Sequence, residues 1–157
     1  KASGQYMNSL LSVTEARARG YDEAILLNSE GNVAEGSGQN LFFVKNGVVY
    51  TNDEKSSILL GITRDSILTI CKDLNISTKI QSFSLNDILS ADEVFFTGTA
   101  SEVTPIRSID DNLISNGFPG DITSKLRRYY MDIVFGKNEK YDSWLSKLSD
   151  NAAVTNS

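Results

Sequence analysis

The spacing of apolar residues along this chain switches between a helical and a strand period, and glycines and polar clusters mark the switches. From Tyr6 to Arg19 the apolar or small residues Met7, Leu10, Leu11, Thr14 and Ala18 recur at helical intervals, and Gly20 supplies the stop. Residues 23–28 (EAILLN) read as a buried strand, residues 29–32 as a turn, and residues 33–35 as a short return strand broken by Gly36-Ser37-Gly38. The strongest local signal is the run Asn40 to Lys45, then Asn46-Gly47, then Val48 to Thr51. Asn-Gly between two apolar runs is the preferred two-residue hairpin turn, because both residues tolerate the positive φ the turn demands.

A polar loop over residues 52–57 leads to Gly61-Ile62-Thr63 and a helix from about Arg64 to Leu74. Ile67, Leu68, Ile70, Cys71 and Leu74 form its inner face, and Asn75 closes it. Residues 77–82 read as a strand, and Ser84 with Asp87 three residues later as the N-cap of a short helix to Ala91. Residues 92–97 (DEVFFT) predict another buried strand, ended by Gly98-Thr99-Ala100. Residues 102–109 and 113–114 predict a hairpin across Asp110-Asp111-Asn112. Asp121 is expected to cap a long helix from Ile122 to Phe135, stopped by Gly136, with a shorter helix around Trp144. Strands outnumber helices and several are joined by hairpins. The predicted fold class is therefore mixed α/β (α+β): a mixed β-sheet or pseudo-barrel with surrounding helices, not a doubly wound parallel sheet. No internal repeat or linker divides it.

Composition narrows the chemistry. The 157 residues suffice for one packed domain, and 40% apolar with 22% charged residues argues against wholesale disorder. A net charge of -5 argues against nucleic acid as the main partner, since phosphate backbones select basic surfaces. No apolar run has the length of a membrane span and no signal segment opens the chain, which makes the cytoplasm the default expectation. The single cysteine, Cys71, reads as a small core residue of a helix. The sequence contains no histidine, so histidine triads and histidine metal sites are excluded, and no metal site is expected. Acid–base work falls to lysine, tyrosine, carboxylates or a cofactor. The chain opens at Lys1 without an initiator methionine, which leads us to expect a fragment or a processed chain, and the polar residues 150–157 are expected to form a flexible tail.

Four stretches could carry chemistry, and each has a plain alternative. By itself Lys1 reads as a solvated terminal charge and Glu35 as an edge carboxylate, although the glycines beside Glu35 allow close backbone approach. Gly61-Ile62-Thr63 opens a helix whose free N–H groups make an anion site, or it is simply a good helix start. Gly98-Thr99-Ala100 follows a buried strand, where amides can bind an anion, or it is a turn. Together they suit pyridoxal phosphate, which needs a lysine amine for its aldehyde, a carboxylate near its pyridine nitrogen and donors around its phosphate.

The strings KASGQYMNSLL, EGSGQNLFFVK, SSILLGITRD and ADEVFFTGTASEVTPIRSID resemble, in order and at matching intervals, the C-terminal domain of branched-chain amino-acid aminotransferases. These are fold-type IV enzymes that use pyridoxal phosphate, and the likeness runs from Lys1 to about Leu148. The resemblance implies a D-amino-acid-aminotransferase-like fold, with residues 1–149 as the cofactor-binding domain and a smaller N-terminal domain absent. It places the cofactor's lysine at Lys1, which also moves the substrate Cα proton. Tyr6 matches the phenol on the ring oxygen, and Glu35 the acid paired with the pyridine nitrogen. Ile62 and Thr63 match the phosphate cup, with Thr99 a further phosphate contact. Backbone amides of Thr99 and Ala100 match the binders of the substrate carboxylate, and Asn40 has a supporting role beside Glu35.

Two departures stand out. Gln39 replaces an expected glutamate, and Asn52-Asp53-Glu54 a more proline-rich loop. The implied reaction is transamination of leucine, isoleucine or valine with 2-oxoglutarate, on small amino-acid and 2-oxo-acid partners, by a homodimer of the complete enzyme. A D-amino-acid aminotransferase, an aminodeoxychorismate lyase and a catalytically inactive domain stay open as alternatives, because fold and cofactor alone do not determine the reaction.

Overall fold

A computed structural model describes residue 4 and residues 6–146 of the chain. Its centre is a five-stranded sheet in the order β5-β4-β3-β6-β7. The strands are β3 (Asn40–Lys45), β4 (Val48–Thr51), β5 (Thr78–Ile80), β6 (Glu93–Gly98) and β7 (Glu102–Pro105). All neighbours are antiparallel except β4 and β5, which run parallel through a crossover that contains helix α2 (Ile62–Asp73). The sheet is mixed, as expected, and small antiparallel pairs flank it: β1 (Ile25–Leu27) with β2 (Val33–Gly36), and β8 (Ser108–Ile109) with β9 (Asn112–Leu113).

β3 and β6 read as continuous apolar runs because both of their faces are covered. On one face Phe42, Val44, Val49, Phe95 and Val103 pack against Ile67, Ile70 and Cys71 of α2 and against Leu126 and Ile133 of helix α4 (Asp121–Val134). On the other, Leu41, Phe43, Val94 and Phe96 meet Val33, Phe83, Ile109, Ile114 and Ile88 of helix α3 (Leu85–Leu89). The β3–β4 hairpin forms at the expected turn, with Asn46 at φ 50° and Gly47 at φ 74°, both in the left-handed region a type I′ turn needs. Ser84 and Asp87 form the expected capping box on α3, each side chain taking the other's backbone N–H.

Several expectations are corrected. The strand expected over residues 23–28 spans only Ile25–Leu27 and is not buried, with Leu27 half exposed at an outer edge. The strand expected over residues 77–82 shortens to Thr78–Ile80, an exposed edge strand. The continuous strand over residues 102–109 divides into β7 and β8 after Pro105, which has no N–H to extend a ladder. Asp121 is not the cap of α4. Glu93, reaching across from β6, accepts the N–H of Ile122 at 3.1 Å, and the N–H and hydroxyl of Thr123 both at 2.6 Å. Helix α1 (Tyr6–Ala18) is present, but its apolar stripe Met7, Leu10 and Leu11 faces outward.

Candidate functional site

At the end of β3 and β6 where α2 begins, a cleft of about 350 Å³ opens. Tyr6 and Ser9 of α1, Glu35, residues 37–40, residues 59–63 and residues 97–99 line it. Five of the candidate residues, Tyr6, Glu35, Ile62, Thr63 and Thr99, therefore share one cavity although they come from four separate stretches of the chain. Lys1 lies outside the described residues. Ala100 follows Thr99 on the same exposed turn but stands outside the cleft lining.

Glu35 is held in place. Its Oε2 accepts the side-chain amide of Asn40 at 3.2 Å and the backbone N–H of Leu59 at 3.1 Å. Asn40 is itself buried, and its Nδ2 also donates to the Leu59 carbonyl at 2.7 Å, so one side chain ties strand β3, the carboxylate and the loop before α2 together. Across the ladder, Asn40 is in register with Thr97. Gln39, the departure at the expected glutamate, donates to Glu23 at 2.6 Å, where a second carboxylate would be repelled.

The opposite wall is the start of α2. Gly61 is its N-cap and has no side chain to occupy the first N–H groups, which leaves them for an anion. A Cβ at Gly61 would stand 2.3 Å from Oδ1 of Asn40, so the close approach of this turn to β3 requires glycine. Thr63 is nearly buried, whereas Ile62 is 85% exposed and can serve the cleft only through its backbone. Behind this wall Arg64 is buried and donates to the Asn52 carbonyl at 2.7 Å, anchoring the preceding loop. Burial pushes its guanidinium below the ordinary arginine value, and nearby Asp65 and Glu54 oppose that shift. The loop at residues 52–57 is thus less solvated than its polarity implies, since Asn52 and Ser56 are buried.

Asn40, expected only to support Glu35, donates to it directly. Two features of the site escape sequence reading: Leu59 contributes a backbone donor, and the buried Thr97 lines the cleft. Of these two only Thr97 carries a signal, as a lone polar residue ending the apolar run VFF.

The amino-transferase class IV family model matches residues 2–109. The chain belongs to this family. A probable branched-chain-amino-acid aminotransferase of Aquifex aeolicus is 47% identical over 151 residues, which is 96% of this chain and 49% of the relative. Among solved structures, the T.th. branched-chain amino acid aminotransferase complexed with N-(5'-phosphopyridoxyl)-L-glutamate superposes with a TM-score of 0.92 at 46% identity, over 95% of this chain and 50% of that one. The branched-chain aminotransferase of Thermoproteus uzoniensis with norvaline gives a TM-score of 0.90 at 49% identity, over 93% and 48% of the two chains. The chain spans about half the length of the class IV relatives it matches, and its fold is the mixed α/β fold of those structures. Among the described residues no helix is long and apolar enough to cross a membrane, and no cluster of potential metal ligands occurs.

Proposed function

We propose that this chain is the cofactor-binding part, residues 1–149, of a branched-chain amino-acid aminotransferase that exchanges amino groups between leucine, isoleucine or valine and 2-oxoglutarate. The observation that carries this reading is Glu35, oriented by Asn40 and Leu59, in a cleft whose opposite wall is an uncapped helix start. That donor set suits pyridoxal phosphate, with a carboxylate for its pyridine nitrogen and amides and hydroxyls for its phosphate. The phosphopyridoxyl-glutamate and norvaline complexes of the relatives support the cofactor, the acceptor pair and an aliphatic substrate.

When bound, pyridoxal phosphate supplies a ring that takes up the electron pair released as the substrate Cα proton leaves. The chain's residues do the rest. Glu35, half-buried in the cleft, would hold the proton on the pyridine nitrogen, and a carboxylate withdrawn from water beside a cation is far less costly than one alone. The amides of Ile62 and Thr63 and the hydroxyls of Thr63 and Thr99 would hold the phosphate. Tyr6 would donate from its phenol to the ring oxygen. Lys1 would hold the cofactor through its amine and take up the proton from the substrate Cα. The turn at Thr99 and Ala100 offers amides to the substrate carboxylate. The complete enzyme would be a cytoplasmic homodimer, with the family's smaller domain finishing the substrate pocket.

The test is an absorbance spectrum with pyridoxal phosphate, before and after L-leucine and 2-oxoglutarate, with borohydride trapping and peptide mapping. A leucine-sensitive visible band with the label on the Lys1 ε-amine is expected. Undiminished transamination by a folded Glu35→Ala protein would remove Glu35 from the mechanism.

A further inference from the structure

Thr97 is fully buried, yet its hydroxyl has no hydrogen-bond partner. Asn52, Arg64 and Ser101 also bury a polar atom without a partner, but none of the three lines the cleft, whereas Thr97 does. A buried hydroxyl without a partner is unfavourable, and valine would fill the same volume at no such cost. Its neighbours are already committed. Asn40, opposite in the ladder, donates to Glu35 and to the Leu59 carbonyl, and Val103 on the other side is apolar. The Asn40 carboxamide oxygen lies against Gly61, so Thr97, Asn40 and the first turn of α2 are successive neighbours.

We propose that the Thr97 hydroxyl is a binding donor for an anionic oxygen of the ligand, placed beneath the phosphate site at the start of α2. The inference rests on the cofactor reading above and adds a residue to it. A hydrogen bond from a hydroxyl to a charged oxygen is among the stronger kinds, and a buried donor gains most from it because water does not compete. The unpartnered hydroxyl thus weakens the ligand-free protein and strengthens the liganded one.

That pair of opposite signs supplies the test. Thr97→Val and Thr97→Ser are compared with the wild type in the intact protein. Thermal denaturation is followed without ligand, with pyridoxal phosphate and with inorganic phosphate, and dissociation constants are measured by fluorescence titration. The expected result is a ligand-free Thr97→Val at least as heat-resistant as the wild type, but binding pyridoxal phosphate about tenfold more weakly. Thr97→Ser should stay within about twofold of the wild type, because it keeps the hydroxyl. Equal affinity of the valine variant and the wild type for pyridoxal phosphate overturns the proposal. Should Thr97→Val misfold, Thr97→Ala against Thr97→Ser makes the same comparison. A wild type that binds inorganic phosphate in a Thr97-dependent way, but not pyridoxal phosphate, would uphold the donor and sink the cofactor reading. Binding of neither would sink both.

Discussion

Asn40 donates its side-chain amide to the Glu35 carboxylate at 3.2 Å, and the same nitrogen reaches the Leu59 carbonyl at 2.7 Å. The orientation of the cleft's carboxylate therefore depends on a neutral residue of the next strand. Under the function proposed above, Asn40→Ala should lower transamination by roughly tenfold or more with the fold retained, since a hydrogen bond to a charged group is worth about 1.5–3 kcal/mol. Asn40→Asp should be worse, because it sets a second carboxylate against Glu35. Steady-state kinetics with circular dichroism as the folding control check both.

Gly61 faces Asn40 so closely that an added Cβ would lie 2.3 Å from its Oδ1. Gly61→Ala must displace Asn40 or the start of α2. A loss of about 1–3 kcal/mol is expected, as for other overpacked sites, together with weaker cofactor binding. Urea denaturation measures the first and spectrophotometric titration the second.

Glu93 caps α4 through the N–H groups of Ile122 and Thr123, and a Cβ on Gly120 would come within 2.0 Å of its Cδ. Glu93→Ala should cost about 1–2 kcal/mol, the upper range for a lost helix cap. Gly120→Ala should be harmful in the wild type and nearly harmless in the Glu93→Ala background, because the clash is with the carboxylate. A double-mutant cycle reads that coupling.

Cys71 is buried between α2 and the sheet, and burial pushes its thiol up to about 12. Thiol reagents should leave it unmodified in the native protein at about pH 8 and label it fully in denaturant. Rapid native labelling would show that this part of the core opens.

Asp73, at the end of α2, pairs with Lys140 at 2.8 Å and accepts the phenol of Tyr141, which docks the segment after α4. Lys140 first and Tyr141 second hold its carboxyl below the ordinary value of 3.8, while Tyr141's own phenol is pushed up by burial and by Asp73. A depressed carboxylate stabilises the fold above its unfolded pKa, and that contribution is lost as pH falls through the lower folded value. Asp73→Asn should therefore be less stable than the wild type near neutral pH, with the difference starting to shrink near pH 3.8 and vanishing only below the lower folded value. Thermal melts across that range test the sign.

Local features were the most legible. The Asn46-Gly47 turn, the Ser84–Asp87 box and the inner face of α2 each depend on residues within a few positions of one another, and the structure has them as expected. The cap of α4 is not legible in the sequence, because Glu93 is far from Ile122 along the chain and proximity points to Asp121 instead. α1 shows a different failure. Its apolar spacing signals a helix correctly, but periodicity does not say which way a stripe faces, and Met7, Leu10 and Leu11 point outward.

The same division holds for the site. Residue types and their spacing along the chain were enough to exclude histidine chemistry and to nominate Glu35, Thr63 and Thr99, since a motif is a local property. That these residues share a cleft with Tyr6, that Asn40 steers Glu35 and that the Thr97 hydroxyl is left without a partner were decided by strand register and by the approach of α2 to β3. Register and packing join residues distant in sequence, and the free energy that selects them is spread over the whole core.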